Sequence, residues 1–519
     1  MQEDEAIKER ARCRRKGSRR PSMFPLSAAP RRTHTSAMHD PDADALKPTR
    51  PFLPPQAFAL ACLVVAGGWL MVVVCHAALP SHDDYFRLHL VRFGLGDRWL
   101  KPLLTYWPPM PFIGAWAAMQ LGETPDLWRL TLPSALAVAV ALGLWAARSQ
   151  REQSDADGGW QSVALLLAIP LVFTVSASIL SEPWFLAGLA LAWQGVRAPA
   201  GASTPLRRAA WLVGGGVLMQ ASRYEGWLVM ALWGPLAAAR SWGEAGRARW
   251  LATFGASAVA LALFPLAWLV LNQRVHGDWR WPFEIARGFA HARPLDDRLL
   301  FAGRVAFTQG LTACAFGVHG AWLLARRRAW LALAPALAPA APFALVVARD
   351  LIGSELPERF ALGALFSAAL LGGASLRALQ EGQAARRRWE PRVMGALGLL
   401  IGLAMMRAAF LAPQPHYVKV YRAGARVLPA EGVVAIMPAA TTHDVYYFAA
   451  SLPRSRFRLP GPPREGAPTA GPEAEWWLVQ RGHPALDEAR AAAATEVYEG
   501  WLLVPGSSGT PSPSATRLR

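Results

Sequence analysis

One apolar stretch, residues 56–79 (QAFALACLVVAGGWLMVVVCHAAL), decides the fold class together with the polar segment that follows it, residues 81–87 (SHDDYFR). A helix needs about 20 apolar residues to cross the hydrocarbon core of a bilayer. The stretch therefore predicts a transmembrane helix, and this helix would deliver two adjacent carboxylates, Asp83 and Asp84, to the membrane surface.

The composition extends this prediction to most of the chain. Hydrophobic residues make up 53% of the sequence and charged residues 17%. In soluble domains, about a quarter of all residues are charged. Apolar blocks recur between short Arg-rich stretches. Within lipid such blocks must be helical, because a helix satisfies all its backbone hydrogen bonds within one segment. We predict an all-α polytopic membrane protein with about eleven spans, at 56–79, 127–147, 161–180, 182–197, 208–222, 226–239, 250–271, 300–325, 329–348, 360–377 and 393–412.

The net charge of +18 does not indicate a nucleic-acid partner, because the excess of Lys and Arg lies between the apolar blocks, where it sets orientation. The charge pattern predicts a cytoplasmic amino terminus in a bacterial-type inner membrane. Residues 1–50 form a basic segment that is typical of a disordered cytoplasmic tail in contact with anionic lipid headgroups.

The composition changes after residue 413. Residues 432–437, 476–479 and 501–504 predict short buried strands, and residues 484–495 predict a helix. We expect a transmembrane domain over 51–412, a small extracytoplasmic α/β domain over 413–505 and a disordered tail over 506–519.

The first predicted external loop, 80–126, is the richest in chemistry. Residues 88–92 (LHLVR) predict an amphipathic surface helix, and the segments 96–103 (GDRWLKPL) and 106–112 (YWPPMPF) follow it. Aromatic side chains favour the headgroup region, so an interfacial anchor is an alternative interpretation of this loop.

The order of these motifs resembles the membrane glycosyltransferases of the GT-C fold. The branch is the one with protein O-mannosyltransferases, aminoarabinose transferases and lipopolysaccharide-core transferases. Four further segments are similar to motifs of this family: 181–186 (SEPWFL), 222–227 (SRYEGW), 358–360 (ERF) and, interrupted by extra residues, 275–283 (VHGDWRWPF). The resemblance covers approximately residues 58–372.

The resemblance implies transfer of a sugar from a polyprenyl-phosphate donor to a glycolipid, polysaccharide or protein acceptor outside the cytoplasm. It implies Asp83 as general base beside Asp84, with their order open, and Glu182 as a residue that assists the base or positions the acceptor. The residues expected to bind substrate are Arg87, Lys101, Tyr106, Arg223, Glu225 and Arg359.

Each of these assignments has an alternative. Asp83 and Asp84 could instead hold a divalent cation as a cofactor, or form a hydrated helix cap. Arg223 and Glu225 could form a structural salt bridge, and Arg359 could be an interfacial Arg that reaches the headgroups. For the whole protein, the alternatives are a lipid or glycan transporter or flippase without transferase activity, and a non-catalytic scaffold.

Overall fold

The structure is a computed structural model, and it describes only part of the chain. The predicted tails, residues 1–50 and 506–519, lie outside the described residues. The described residues are 54–76, 79, 81–94, 108–120, 127–152, 159–197, 204–244, 246–288, 295–349, 357–382, 416–429, 431–437, 444–452, 457–458, 474–481 and 494–505.

Helices form almost all of the described chain up to residue 382. They are α1 Pro54–His76, α2 His82–Gly94, α3 Met110–Met119, α4 Leu127–Glu152, α5 Trp160–Leu167, α6 Pro170–Ser176, α7 Glu182–Arg197, α8 Pro205–Gln220, α9 Glu225–Glu244, α10 Gly246–His276, α11 Trp281–Gly288, α12 Leu295–Arg326, α13 Trp330–Leu337, α14 Ala341–Arg349 and α15 Leu362–Gly382. Two 3₁₀ turns, Ala338–Ala340 and Pro357–Ala361, precede α14 and α15.

These helices confirm the predicted helical membrane architecture. Within the described residues, six helical stretches are long and apolar enough to cross a bilayer, and the chain is an integral membrane protein. Two other predicted spans are the 16-residue helices α7 and α8, and span 226–239 lies within the 20-residue helix α9. Span 161–180 is divided into α5 and α6 before Pro170, which opens the second helix. The count of about eleven spans stays a prediction, because 393–412 lies outside the described residues.

The short helices α7 and α8 pack closely because glycines line their contact. A Cβ added to Gly215 would lie 2.3 Å from the backbone nitrogen of Ala192, and one added to Gly188 would lie 2.6 Å from that of Met219. Small residues allow membrane helices to approach to backbone contact. This pair of helices thereby fixes the turn at Arg223 relative to the start of α7.

A small α/β unit follows in the carboxyl-terminal part. Its sheet has the strand order β2-β1-β3-β5-β4, in which β1 is parallel to β2 and β3, and β5 is antiparallel to β3 and β4. The elements of this unit are the helices α16 His416–Val427 and α17 Asp444–Ala450 and the strands β1 Val434–Met437, β2 Phe457–Arg458, β3 Trp476–Gln480, β4 Thr495–Tyr498 and β5 Trp501–Pro505.

Three of the five strands were predicted, and these predictions are confirmed. Strands β2 and β4 were not predicted. The helix predicted over 484–495 is wrong at Thr495, which begins β4, and residues 484–493 lie outside the described part of the chain.

The α/β unit packs directly on α2, the helix that carries the acidic pair. The ring of Tyr85 is fully buried, with its centroid 5.9 Å from Tyr417, 5.5 Å from Tyr421 and 5.4 Å from Tyr447. The surrounding hydrophobic cluster joins α2, α3 and α4 to α16, α17 and the sheet. The predicted surface helix 88–92 is therefore part of a longer helix that the α/β unit covers, and Asp83 and Asp84 lie in its first turn.

Candidate active site

Four connections between helices bring charged side chains into one cluster. Each connection contributes residues from a different motif of the sequence. The contributions are Asp83, Asp84 and Arg87 from the first two turns of α2, Glu182 from the start of α7, Arg223 and Glu225 from the turn between α8 and α9, and Arg359 from the 3₁₀ turn before α15.

Asp83 is the most accessible carboxylate of this cluster. Its side chain is 23% exposed, and its Oδ2 lies 2.5 Å from Arg359 Nη2. The backbone N–H of Asp83 donates to the hydroxyl of Ser81 at 3.1 Å, which is the helix-capping contact of the first turn. Asp83 thus combines a basic partner with a face that an incoming molecule can reach.

Asp84 differs from Asp83 in its burial and in its hydrogen-bond partner. It is fully buried, and its Oδ1 accepts a hydrogen bond from the backbone N–H of Ile179 at 2.8 Å. Burial raises the pKa of the Asp84 carboxyl to about 8, against the lowering effect of Arg87 and of the Ile179 amide. At neutral pH most of this carboxyl is protonated, so it suits an anchoring role better than that of a base.

Glu182 is the buried hub of the cluster. It is fully buried, its Oε1 accepts from Arg223 Nη1 and lies 3.5 Å from Arg359 Nε, and the hydroxyl of Ser181 donates to its Oε2 at 3.2 Å. A carboxylate at such a site needs charged partners to offset its desolvation. The guanidiniums of Arg223 and Arg359 are these charged partners, and the Glu182 carboxylate in turn holds both guanidiniums in place.

Arg223 binds a second carboxylate besides Glu182. Its Nε lies 3.1 Å from Glu225 Oε1, and its Nη2 contacts the same oxygen. The salt bridge that was the alternative interpretation of this pair is therefore present, and it forms part of the larger cluster.

Phe360 also belongs to the cluster, although the sequence analysis gave it no role beyond its place in the motif 358–360. Its ring centroid lies 4.8 Å from Arg223 Cζ and 5.6 Å from Arg359 Cζ. An aromatic face attracts a guanidinium, so this one ring aligns two of them. Because Phe360 directly follows Arg359, its role could have been predicted from the sequence. Nothing in the sequence indicated that the Ile179 amide binds Asp84.

Arg87 lies one turn after the acidic pair and is 2% exposed. Burial lowers the pKa of its guanidinium, while the nearby carboxylates of Asp83 and Glu182 raise it. Of the other residues predicted to bind substrate, Lys101 and Tyr106 lie outside the described residues.

As they lie in the described part of the structure, Asp83 and Asp84 are not arranged as a pair of ligands for a divalent cation. Such ions take several oxygen ligands that converge on one point, whereas Asp83 is directed at Arg359 and Asp84 at the Ile179 amide. Within the described ranges, no group of three or more His, Cys, Asp or Glu side chains is arranged to hold a metal ion.

No family model matches this sequence, and no curated protein matches it either. Solved structures do match. ArnT from Cupriavidus metallidurans in the apo state, a GT-C aminoarabinose transferase, aligns with a TM-score of 0.52 and 14% identity over 88% of this chain and 100% of its own. The chain has the GT-C fold. The predicted resemblance is confirmed at the level of the fold.

Two other GT-C structures match over less of their length. The oligosaccharyltransferase of Archaeoglobus fulgidus in the apo form aligns with a TM-score of 0.43 and 13% identity, over 79% of this chain and 64% of its own. The archaeal oligosaccharyltransferase AglB in complex with an inhibitory peptide and a dolichol-phosphate aligns with a TM-score of 0.41 and 13% identity, over 77% and 64%.

Proposed function

We propose that this protein is an integral membrane glycosyltransferase. It moves a sugar from a polyprenyl-phosphate carrier to a glycolipid, polysaccharide or protein acceptor on the extracytoplasmic side. The observation that carries the proposal is the charged cluster of a GT-C fold, in which a partly exposed carboxylate, Asp83, stands beside buried guanidiniums.

The guanidiniums suit the donor. Its isoprenoid tail remains in the bilayer, so its phosphate arrives near the ends of the helices, where the cluster lies. Arginine binds phosphate through charge-assisted, often bidentate hydrogen bonds. Arg359 is 8% exposed and Arg223 is 8% exposed, and such burial strengthens electrostatic contacts with an anion. Arg87 adds a third positive charge nearby.

Asp83 suits the acceptor. In the proposed step, a carboxylate oxygen of Asp83 takes the proton of the acceptor hydroxyl. The acceptor oxygen forms a bond to the anomeric carbon as the bond from that carbon to the carrier's phosphate oxygen breaks. The phosphate leaves with the electron pair, its charge is stabilised by the arginines, and the configuration at the anomeric carbon is inverted. Asp84, protonated and bound to Ile179, holds α2 in position.

The orientation belongs to the same proposal. We place the amino terminus in the cytoplasm and the cluster outside it, in an inner (plasma) membrane, with 51–412 as the transmembrane domain and 413–505 as the extracytoplasmic domain. The contact of Tyr85 with the α/β unit supports a common side for the cluster and this unit. A reporter fused after Arg422 tests this placement, because it should be active only outside the cytoplasm.

The experiment that tests the function compares cells with the gene deleted and then complemented. Mass spectrometry of envelope glycolipids, polysaccharides and glycoproteins should show one sugar unit missing in the deletion strain. The wild-type gene should restore it and Asp83→Asn should not. An unchanged glycan profile in the deletion strain, together with transport of a labelled lipid by the purified protein, would instead indicate a transporter.

A further inference from the structure

The donor phosphate and Asp83 compete for the same side chain. Resting on the proposed function, we infer that an incoming phosphate displaces Asp83 from Arg359, so that donor binding itself releases the base. Arg359 is then a switch between two partners, as well as part of the phosphate site.

The described contacts leave little spare positive charge in the cluster. Arg223 is bound by Glu182 and Glu225, and Arg359 by Asp83 and Glu182. A phosphate carries its own negative charge, and like charges in a site of low dielectric repel each other. It therefore gains the full attraction of a guanidinium only when it takes the place of a carboxylate.

Of the two carboxylates that contact Arg359, Asp83 can leave at the lower cost. Glu182 is fully buried and bound by two guanidiniums and a hydroxyl, so moving it would separate several buried charges. Asp83 is 23% exposed and can turn its carboxylate into water. Asp83 also lies in the first turn of α2, where a small change of side-chain rotamer moves its oxygens without moving the helix.

Arg359 has a donor ready for a second contact. Its Nη1 is buried and, within the described residues, makes no hydrogen bond. A buried donor without an acceptor is unfavourable, and a phosphate that binds both terminal nitrogens would satisfy it. The planar guanidinium is suited to such a two-point contact.

The exchange couples binding to chemistry. While Asp83 binds Arg359, one of its oxygens is occupied by a guanidinium and is poorly placed to take a proton. Once phosphate occupies Arg359, the Asp83 oxygen that contacted Arg359 becomes available to the acceptor hydroxyl. The order of events is then donor first and acceptor second.

The test measures binding of a polyprenyl monophosphate, the carrier without its sugar, to the purified full-length protein in lipid nanodiscs. Asp83→Asn removes the competing charge and keeps the shape, so it should bind the probe about tenfold more tightly, which corresponds to about 1.4 kcal/mol. Arg359→Gln should weaken binding by a similar factor. Asp83→Ser serves as the second variant if Asp83→Asn does not fold.

Two controls separate this exchange from a general change of charge. Glu358→Gln removes a negative charge from the neighbouring position, where Glu358 pairs with the exposed Arg304 at 3.4 Å, and should leave the affinity within twofold. In the double variant Asp83→Asn with Arg359→Gln, the tightening should disappear. Equal tightening in Glu358→Gln, persistence in the double variant, or no tightening in either Asp83 variant would overturn the inference. No binding of the probe to any form, wild type included, would instead contradict the proposed donor class.

Discussion

The backbone N–H of Ile179 donates a hydrogen bond to Asp84 at 2.8 Å, across 95 positions of sequence. This contact holds the buried carboxyl of Asp84, whereas the neighbouring Asp83 binds Arg359. Two adjacent residues of the same type therefore have different environments, and we propose different roles for them because environment sets the pKa of a carboxyl.

The first prediction separates the roles of the two aspartates. Asp83→Asn should lower the transfer rate by about 100- to 10,000-fold, the contribution of a positioned base. Asp84→Asn should cost far less, because an amide can still accept from the Ile179 N–H and resembles the protonated carboxyl. The measurement is restoration of the missing glycan in the deletion strain, at matched protein levels. Equal loss in both variants would show that the assignment of the base is wrong.

The second prediction concerns pH. The folded protein holds the Asp84 proton up to a pKa of about 8, whereas the ordinary value is 3.8. Between these values the folded state binds more protons than the unfolded state, so stability falls as the pH rises, by at most about 1.4 kcal/mol per pH unit.

The matched control for this pH dependence is Asp84→Asn, which cannot titrate. Thermal midpoints from tryptophan fluorescence at pH 5, 6, 7 and 8 should decline more steeply in the wild type than in this variant. Parallel curves for the two proteins would indicate that Asp84 is ionised in the folded protein over this range.

The third prediction concerns the buried hub. Glu182→Gln removes the buried carboxylate that Arg223 and Arg359 share, and each guanidinium then keeps only a partly exposed partner, Glu225 or Asp83. Removing one member of a buried ion pair typically costs about 3–5 kcal/mol. Glu225→Gln should cost less, because Glu225 is 19% exposed and Arg223 retains Glu182. Midpoints of thermal unfolding in detergent measure both effects. A larger loss for Glu225→Gln would contradict the central position of Glu182.

The fourth prediction tests the attachment of the α/β unit to α2. Tyr85→Ala removes a fully buried ring from three tyrosines and should cost about 3–5 kcal/mol. Tyr85→Phe keeps the ring and loses only the hydrogen bond from the Leu79 N–H, 3.2 Å long, at a cost of about 1 kcal/mol. Limited proteolysis should show faster cleavage within 413–505 for Tyr85→Ala and not for Tyr85→Phe.

The fifth prediction compares two neighbouring glycines of α8. Gly215→Ala places a Cβ against the backbone of α7 and should destabilise by about 1–3 kcal/mol. In Gly214→Ala, no atom of the described residues lies within 4 Å of the added Cβ. This variant should stabilise the protein by about 0.5–1 kcal/mol, because alanine favours the helix. The two variants should shift the thermal midpoint in opposite directions, and equal shifts would contradict the described packing of α7 on α8.

Several elements were predictable from local patterns alone. The helix α7 begins and ends where its apolar block does, and β3 and β5 contain the predicted strand residues. The strand β1 covers 434–437 of the predicted 432–437. Hydropathy and residue spacing are properties of a few consecutive residues, and a membrane enforces helices on such blocks. The strand β2 has two residues, too few for any pattern to show.

The candidate site divides in the same way. The resemblance of the motifs to those of the GT-C family was enough to select Asp83, Glu182, Arg223 and Arg359. For Glu182, the cost of a charge at the end of an apolar helix pointed the same way. The partners of these side chains could not be predicted from the sequence. Which carboxylate meets which guanidinium depends on how α2, α7, α9 and α15 pack, and burial of Asp84 depends on the bend at Ile179. Hydropathy acts along the chain, whereas pairing and desolvation act through space, and only the folded protein sets those distances.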